Sequence, residues 1–259
     1  MFLAGLFVLA ATQAGPAQGQ IVPPDRWTID YGRASCTLAR RLGGDGTPIL
    51  AFNAALGREP GELLILNGDA ALNQRLTGEV AVRLDDGAPF NASITHQQRN
   101  GRAVIKLAPM PDTFLDAVAG ARQLTVVQGN EDVLVLVLPN ARAAIEALTR
   151  CNDDLMQSWG VDLPARRALS QQPYTGALEW ASQIMPRRST SLVFVAGISE
   201  RGRPLDCRVV VSSLNERMDD AFCNLVRSRA RFRPALDSQG RPVPSQYVTR
   251  VRWEIEGGD

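Results

Sequence analysis

The sequence predicts an α+β protein, in which a β-sandwich-like N-terminal domain with a closing helix is joined to a small C-terminal domain. Short strand-like runs separated by turn residues recur through the first half of the chain, which is typical of a sandwich or barrel. A proline-containing break follows at 160–188. The last quarter then shows a β-hairpin, a helix and a final strand. With 259 residues, 45% of them hydrophobic, the chain is long enough to bury two modest cores.

Residues 1–20 have the pattern of a secretory signal peptide. Met1 to Ala11 form an apolar run, and small and polar residues follow up to Gln20. The run is too short to span a bilayer. We therefore predict cleavage near Ala17 to Gln20 and export across the inner membrane to the periplasm. Positive residues ahead of the apolar run are missing, so a membrane tether is the alternative, and we expect membrane association only if this segment stays uncleaved.

Residues 21–159 are predicted to form the β-rich N-terminal domain. The strand-like runs are Arg26–Arg33, one that begins at Cys36, Pro48–Asn53, Glu62–Leu66, Glu79–Leu84, Ala88–Thr95, Ala103–Leu107, Gln123–Val127 and Asp132–Leu138. Turns rich in glycine, asparagine and aspartate separate them. Two helices are expected, a short one at Pro111 to Ala119 and a closing one that Asn140 caps and that runs to about Trp159.

Residues 160–188 are predicted to be a linker. They contain Pro164, Pro173 and Pro186, and only the stretch around Leu178 to Ile184 indicates a pair of helical turns. Proline-containing segments favour extended conformations. The sequence therefore predicts a connection between two domains here.

Residues 189–259 are predicted to form the C-terminal domain. In order, the pattern indicates a strand at Leu192–Ile198, a turn at Glu200–Pro204 and a second strand at Leu205–Ser213. A helix follows, because apolar residues then recur at spacings of three and four. Either Asn215 or Ser213 can cap this helix, and it must end before Pro234.

The last strand, from Tyr247 to Ile255, is predicted to cover the helix with one face. The residues on that face are Tyr247, Thr249, Val251, Trp253 and Ile255. The residues between them, including Arg250, Arg252 and Glu254, are predicted to face water. A strand at the margin of a sheet presents unpaired main-chain groups to other chains. We therefore predict a partner-binding edge that comprises Tyr247, Arg250, Arg252 and Glu254.

This last quarter contains a specific series of motifs. They are, in order, the strand SLVFVAGIS, the turn ERGRP, Cys207, the pair Ser212-Ser213, the helical Met218, Asp219 and Cys223, the run FRPALD, Gly240, Pro242-Val243 and Trp253. Over about 65 residues, this series resembles the C-terminal domain of TonB. It implies a domain that binds an extended segment of an outer-membrane transporter by strand addition. TonB itself has a membrane helix and a long proline-rich segment where this chain has a folded domain, so energy transduction is not implied.

The first domain shows, in order, an early Trp and Cys, many short strands, a helix, a strand that ends in VLPN and a closing helix that contains a Cys. In this order, in pattern more than in motif, it is similar to the invasion-associated locus B family of exported β-sandwich proteins. This resemblance implies the same sandwich-like architecture for residues 21–159.

The four cysteines of an exported chain predict disulfide bonds. Three pairings are possible. Cys207 lies on a predicted strand and Cys223 on the helix that should cover it, so a bridge between them is geometrically plausible and would leave Cys36 to pair with Cys151. Each bridge would contribute about 3 to 5 kcal/mol if unstrained. Four buried free thiols are the alternative.

Residue patterns that carry catalysis are sparse. His96 is the only histidine and has no cysteine or carboxylate at a ligand spacing, which is typical of a surface residue. No serine stands in a nucleophile-elbow pattern, and no glycine run has phosphate-loop spacing. Ser212-Ser213 is predicted to cap the helix rather than to act as a nucleophile. We therefore expect no enzyme activity, no catalytic residue, no cofactor and no metal.

Two functions are compatible with these patterns, and the formal net charge of +1 gives no reason to expect a nucleic-acid partner. The first is an exported periplasmic TonB-like protein that binds an extended segment of an outer-membrane transporter or another cell-envelope protein, in envelope transport. The alternative is a structural or adaptor protein of the envelope. Its TonB-like domain would pack against its own first domain, or form a homodimer, without energy transduction.

Overall fold

The computed structural model describes residues 26–43, 47–54, 61–66, 70–99, 102–164, 184, 186 and 188–253. The predicted signal peptide, the larger part of the predicted linker, and Glu254 and Ile255 of the predicted last strand lie outside these residues. The described residues form two larger β-sheets, each packed against helices of its own part of the chain, and a separate two-stranded sheet near the C-terminus. The predicted α+β class is confirmed.

The first sheet belongs to the N-terminal unit, which we define as residues 26–158. Its strands are β1 (Trp27–Tyr31), β2 (Cys36–Arg41), β3 (Ile49–Asn53), β4 (Gly61–Leu66), β5 (Glu79–Leu84), β6 (Phe90–Arg99), β7 (Arg102–Met110), β8 (Gln123–Gln128) and β9 (Glu131–Val137). They form one antiparallel sheet of nine strands in the order β1-β2-β3-β4-β7-β6-β5-β8-β9. The sheet curls, since the indole nitrogen of Trp27 on β1 donates to the carbonyl of Pro139, beyond β9, at 2.7 Å.

Among the residues that the structure describes, three helices accompany this sheet: α1 (Ala70–Arg75), α2 (Phe114–Gly120) and α3 (Ala141–Ser158). Helices α2 and α3 contact each other, and α3 also contacts β1 and β2, so both helices close the concave side of the sheet. Phe52 and Phe114 are buried there, with ring centroids 6.2 Å apart. Ala144, Ile145 and Leu148 of α3 join the same core, at the three- and four-residue spacings of a helix face.

Two local predictions for this unit differ from the structure. Asn140 precedes α3, but its side chain makes no cap hydrogen bond and its backbone has a φ of 55°. The predicted cap is therefore wrong, and asparagine is found there because it tolerates the left-handed conformation better than most residues. Helix α1 was not predicted, because six residues are too few to show a helical period.

The second sheet belongs to the C-terminal unit, which we define as residues 188–253. Its elements are β10 (Thr190–Ile198), β11 (Arg208–Val211), α4 (Glu216–Arg229), the short pair β12 (Ala235–Leu236) and β13 (Pro242–Val243), and β14 (Ser245–Trp253). The sheet order is β11-β10-β14, with antiparallel neighbours. Of the two candidate caps, Asn215 is the one used, since its side chain accepts from the backbone N–H of Met218 at 3.2 Å.

One face of this sheet is covered by α4, as predicted. Phe194 of β10 packs edge-on against Phe222 of α4, with centroids 4.9 Å apart. Trp253 of β14 meets Phe222 at 5.9 Å, and Tyr247 lies 5.0 Å from Phe232. These rings form a small core in which Phe194 and Phe222 are almost completely buried.

The turn between β10 and β11 crosses the segment that leads into β12 at very short range. Gly202 in this turn has a φ of 70°, and its carbonyl accepts from the backbone N–H of Phe232 at 2.9 Å. A Cβ atom at Gly202 would overlap the carbonyl of Phe232. Glycine is therefore required here both by backbone conformation and by space.

Candidate functional site

The margin of the C-terminal sheet at β14 has main-chain groups that point away from the sheet. In an antiparallel ladder, the N–H and the C=O of one residue point to the same side. Gly197 accepts from Leu205 on the β11 side, so its neighbour Ile198 faces β14, where it pairs with Ser245. The alternate residues of β14 therefore point their main-chain groups to the outer margin, and they are Gln246, Val248, Arg250 and Arg252.

The side chains of these outward-pointing residues lie on the sheet face opposite α4. We call that face the docking face and define it by Val193, Val195, Val210, Val211 and Val248. It packs against Met156 and Trp159 at the end of α3, against Val161 and Leu163 just beyond, and against Ala34 between β1 and β2. Val248 is only 1% exposed. The two units therefore share a small apolar core.

Polar contacts surround this shared core. Arg250 donates to the hydroxyl of Ser35 at 3.0 Å, and Arg252 donates to a carboxylate oxygen of Glu62 at 3.0 Å. On the other side, the backbone N–H of Asp162 donates to the side-chain oxygen of Gln246 at 2.6 Å. The contacts come from both ends of β14, so the strand is held along its length.

Glu62 is the most highly connected of these groups. It lies at the start of β4, and its carboxylate meets Arg252, Lys106 at 3.8 Å and the side-chain amide of Asn53 at 3.2 Å. Burial alone would raise the pKa of Glu62, but the charge of Arg252, the hydrogen bonds from Asn53 and Arg252 and the charge of Lys106 together hold the pKa below its ordinary value. The carboxylate is thus charged where the two units meet.

The prediction that Arg250 and Arg252 face water is wrong. Both side chains are partly buried and contact the N-terminal unit. The predicted alternation along the strand is correct, because Tyr247 and Trp253 do pack toward α4. A second folded unit covers the other face, however, and the pattern of one strand carries no information about it. Tyr247 contributes to the core, and Glu254 lies outside the described residues.

Residues 187–255 match the family model of the Gram-negative bacterial TonB protein C-terminal. The resemblance to that family is confirmed, and the C-terminal unit is TonB-like. The family belongs to the Gram-negative cell envelope and is not a family of enzymes.

A solved structure is also similar to this chain, namely invasion associated protein b from Bartonella henselae. It is 14% identical, with a TM-score of 0.37, over 49% of this chain and 94% of that chain. The name of this solved protein is that of the family that the N-terminal domain resembles in sequence pattern. No curated protein matches the chain.

Two disulfide bonds join the four cysteines. Cys207 and Cys223, whose Cα atoms are 5.4 Å apart, connect the start of β11 to α4 within the TonB-like unit. Cys36 and Cys151, 6.2 Å apart, connect β2 to α3. The second bond lies next to the shared core, because Ser35 precedes Cys36 and Met156 is one helical turn and a half beyond Cys151.

A buried polar cluster in the TonB-like unit was not predicted. Asp219, 9% exposed, accepts from the hydroxyl of Ser212 at 2.5 Å and from the hydroxyl of Ser213 at 2.6 Å. The two serines therefore hold the loop onto α4 through a carboxylate, rather than capping the helix as expected. The loop presents Leu214 to solvent at 91% exposure, with a φ of 68°. The signal for this cluster was the pair of serines seven and six residues before an acidic residue.

The described residues offer little for catalysis or metal binding. The ring nitrogen Nε2 of His96 donates to the carbonyl of Leu76 at 2.9 Å, and the side chain lies on the surface as expected. Within the part of the chain that the structure describes, no group of three His, Cys, Asp or Glu residues is arranged to hold a metal ion. In that same part, every helix is too short or too polar to cross a membrane.

Proposed function

We propose that this protein is an exported, non-enzymatic adaptor of the periplasm, in which the TonB-like unit is docked on the N-terminal unit. The observation that supports this most directly is the docking face, where Val248 is 1% exposed and Arg252 reaches Glu62. The TonB-like unit packs this face against the N-terminal unit of the same chain. A unit held in this way is suited to a fixed position in a larger assembly.

Docking is tested by unfolding experiments on the full chain. If the units are docked, they stabilise each other and unfold in one cooperative transition. Val248→Asp places a charge in the shared core and should split this transition into two. Arg217→Ala, at an exposed position on α4, is the control and should leave the single transition unchanged. A single, unshifted transition in Val248→Asp would contradict docking.

A second candidate is strand addition, in which an outer-membrane transporter or another envelope protein adds an extended segment to β14. The observation that favours it is the outer margin, toward which Gln246, Val248 and Arg252 point their main-chain groups. An incoming strand would gain main-chain hydrogen bonds there, and its alternate side chains would determine its identity.

Two substitutions at one residue separate the main-chain and side-chain parts of this candidate. Arg252→Pro removes an outward N–H, whereas Arg252→Ala removes only the side chain. Binding of synthetic peptides from transporter segments that face the periplasm is then measured by calorimetry. If strand addition occurs, the proline variant loses binding and the alanine variant retains most of it. If the folded wild type, proline variant and alanine variant bound the peptides with equal affinity, strand addition at this margin would be excluded and the adaptor function would remain.

A further inference from the structure

The loop before α4 presents a leucine side chain almost entirely to solvent. Leu214 is 91% exposed and has a φ of 68°. This left-handed conformation is unfavourable for leucine, and glycine or asparagine ordinarily occupies it. Within the fold, the exposed side chain gains no free energy from burial that would offset this cost. The leucine is therefore explained best by a contact that its side chain makes with another molecule.

Hydrogen bonds fix the loop that carries this leucine. The backbone N–H of Leu214 donates to the hydroxyl of Ser212 at 2.9 Å, and the hydroxyl of Thr190 donates to the carbonyl of Ser213 at 2.9 Å. The buried carboxylate of Asp219 accepts from the hydroxyls of both serines. Because the support is already ordered, a contact made by Leu214 costs little conformational entropy.

An apolar groove lies beside Leu214, which forms one of its walls. The volume of the groove is about 570 Å³, within the range of sites that enclose small ligands. We call the groove and this leucine together the Leu214 surface, and its apolar members are Ile184, Pro186, Leu214 and Met218. A projection and a depression thus lie side by side on one surface.

Two side chains of opposite charge flank the projection and the depression. Among the described residues that line the groove, Arg188 is the one with a charged side chain. Glu216, two residues after Leu214, is exposed at the first position of α4. Neither Arg188 nor Glu216 makes an ion pair with another residue that the structure describes. The projection therefore has a carboxylate next to it, and the groove contains a guanidinium.

We propose that the Leu214 surface binds a second copy of this chain about a two-fold axis, so that Leu214 of each copy enters the groove of the other. A two-fold interface uses the same patch on both copies, which requires that the patch be complementary to itself. The same arrangement brings Glu216 of each copy, beside the entering leucine, toward Arg188 in the groove of the other. One surface thereby supplies two apolar contacts and two ion pairs.

Self-association through this small surface is expected to be weak and to depend on concentration. The contact buries less area than a standard protein interface. In sedimentation velocity, we expect the wild-type full chain to change from monomer to dimer over the micromolar range. Raising the salt concentration should weaken the dimer, because both charged side chains are exposed.

Leu214→Asn separates a role in association from a role in the fold. Asparagine tolerates the left-handed conformation better than leucine does, so this variant should unfold at the wild-type temperature or above it. Dimerisation should weaken at least about tenfold, because the apolar contact is lost on both copies. Leu205→Asn, at a leucine that is 66% exposed in the turn before β11, is the matched control and should leave dimerisation unchanged.

An exchange of charges tests the orientation of the two copies. Arg188→Glu places like charges opposite each other in both halves of the interface and should weaken dimerisation about tenfold. Adding Glu216→Arg to this variant restores opposite charges, so the double variant should dimerise within about threefold of the wild type. Affinity that returns on a second substitution cannot come from a local loss of structure.

Three results would each overturn the proposal. A wild-type chain that stays monomeric throughout the micromolar range would show that the Leu214 surface has no affinity for itself. A dimer of unchanged affinity in Leu214→Asn would place the interface elsewhere. A double variant that dimerises no better than Arg188→Glu would show that the two charges do not meet across the axis.

Discussion

Some residues in this protein are required by their own turn, and others by contacts with a distant part of the chain. Gly202 and Gly240 illustrate the difference between a local and a distant requirement. Both have positive φ, of 70° and 76°. Around Gly240, an added Cβ would meet nothing within 4 Å, whereas at Gly202 it would meet the main chain of Phe232. The first glycine serves its own turn, and the second allows two segments to cross.

We expect Gly202→Ala to destabilise the TonB-like unit considerably more than Gly240→Ala. The left-handed conformation costs about 1 to 2 kcal/mol for a non-glycine residue at either position. Only Gly202→Ala adds a main-chain clash, which must displace the turn or the segment before β12. Chemical denaturation of both variants measures the difference in the free energy of unfolding. Equal losses would mean that the crossing at Phe232 is looser than the structure indicates.

Sequence patterns identified those residues whose role depends on their immediate neighbours. Trp253 and Tyr247 were assigned to the correct face of the last strand, because alternation is a local property. Arg250 and Arg252 were assigned to water, although they contact Ser35 and Glu62. Contacts with residues 215 and 190 positions away in sequence leave no trace in a two-residue period. The pattern therefore predicts which side chains of the strand face α4, but not what covers the opposite face, and the partner-binding edge itself stays a prediction.

Elements were predicted best where they are long or strictly alternating. Strand β5 has the predicted bounds, Glu79 to Leu84, and α3 lies within the predicted range. Strand β11 is shorter than predicted, because Leu205 and Asp206 lie in the turn before it. There the backbone N–H of Leu205 donates to the carbonyl of Gly197 in β10, and the carboxylate of Asp206 accepts from the backbone N–H of Gly197. The short pair of β12 and β13 was not expected as strands, because two residues show no period.

Glu62, at the start of strand β4, makes the stability of the docking interface depend on pH. The folded pKa of Glu62 is depressed, so its contribution to docking is fully present above the unfolded pKa of about 4.3 and is lost as the pH falls through the lower folded pKa. We expect docking to weaken below about pH 4. Hydrogen exchange of β14 in the full chain, measured as a function of pH, reports this loss.

Glu62→Gln separates this effect from general acid unfolding. The variant keeps the shape of the side chain and a hydrogen-bond acceptor, but it cannot titrate. Exchange of β14 should be faster than in the wild type at neutral pH, and the part of the pH dependence that belongs to Glu62 should disappear. If β14 in Glu62→Gln kept the full acid response of the wild type, other carboxylates would be responsible.

The whole molecule is tied together by disulfides that act at two different ranges. Cys36–Cys151 joins residues 115 apart in sequence, and Cys207–Cys223 joins residues 16 apart. The longer bond also holds β2 beside α3 at the border of the docking face, where the backbone N–H of Cys36 donates to the side chain of Asn152 at 3.0 Å. Its removal should therefore affect both units.

We expect the double variant Cys36→Ser, Cys151→Ser to lose about 4 to 5 kcal/mol of stability, against about 3 kcal/mol for the corresponding Cys207, Cys223 variant. The first variant should also increase hydrogen exchange along β14, whereas the second should loosen α4 and leave β14 docked. Denaturant unfolding and exchange measurements on the two proteins check both statements. If hydrogen exchange of β14 became faster only in the Cys207, Cys223 variant, the shorter disulfide rather than the longer one would be the bond that supports docking.

The docking contacts also set an order of events during biosynthesis. Arg250 reaches back 215 residues to Ser35, and Arg252 reaches back 190 residues to Glu62. Since a polypeptide emerges from its N-terminus, the N-terminal unit completes its own core long before β14 arrives. Contacts of such high sequence separation form slowly. During this delay, the end of α3 and the carboxylate of Glu62 face the surrounding solution, and a nascent molecule is then open to capture by chaperones or by the β14 of a neighbouring chain.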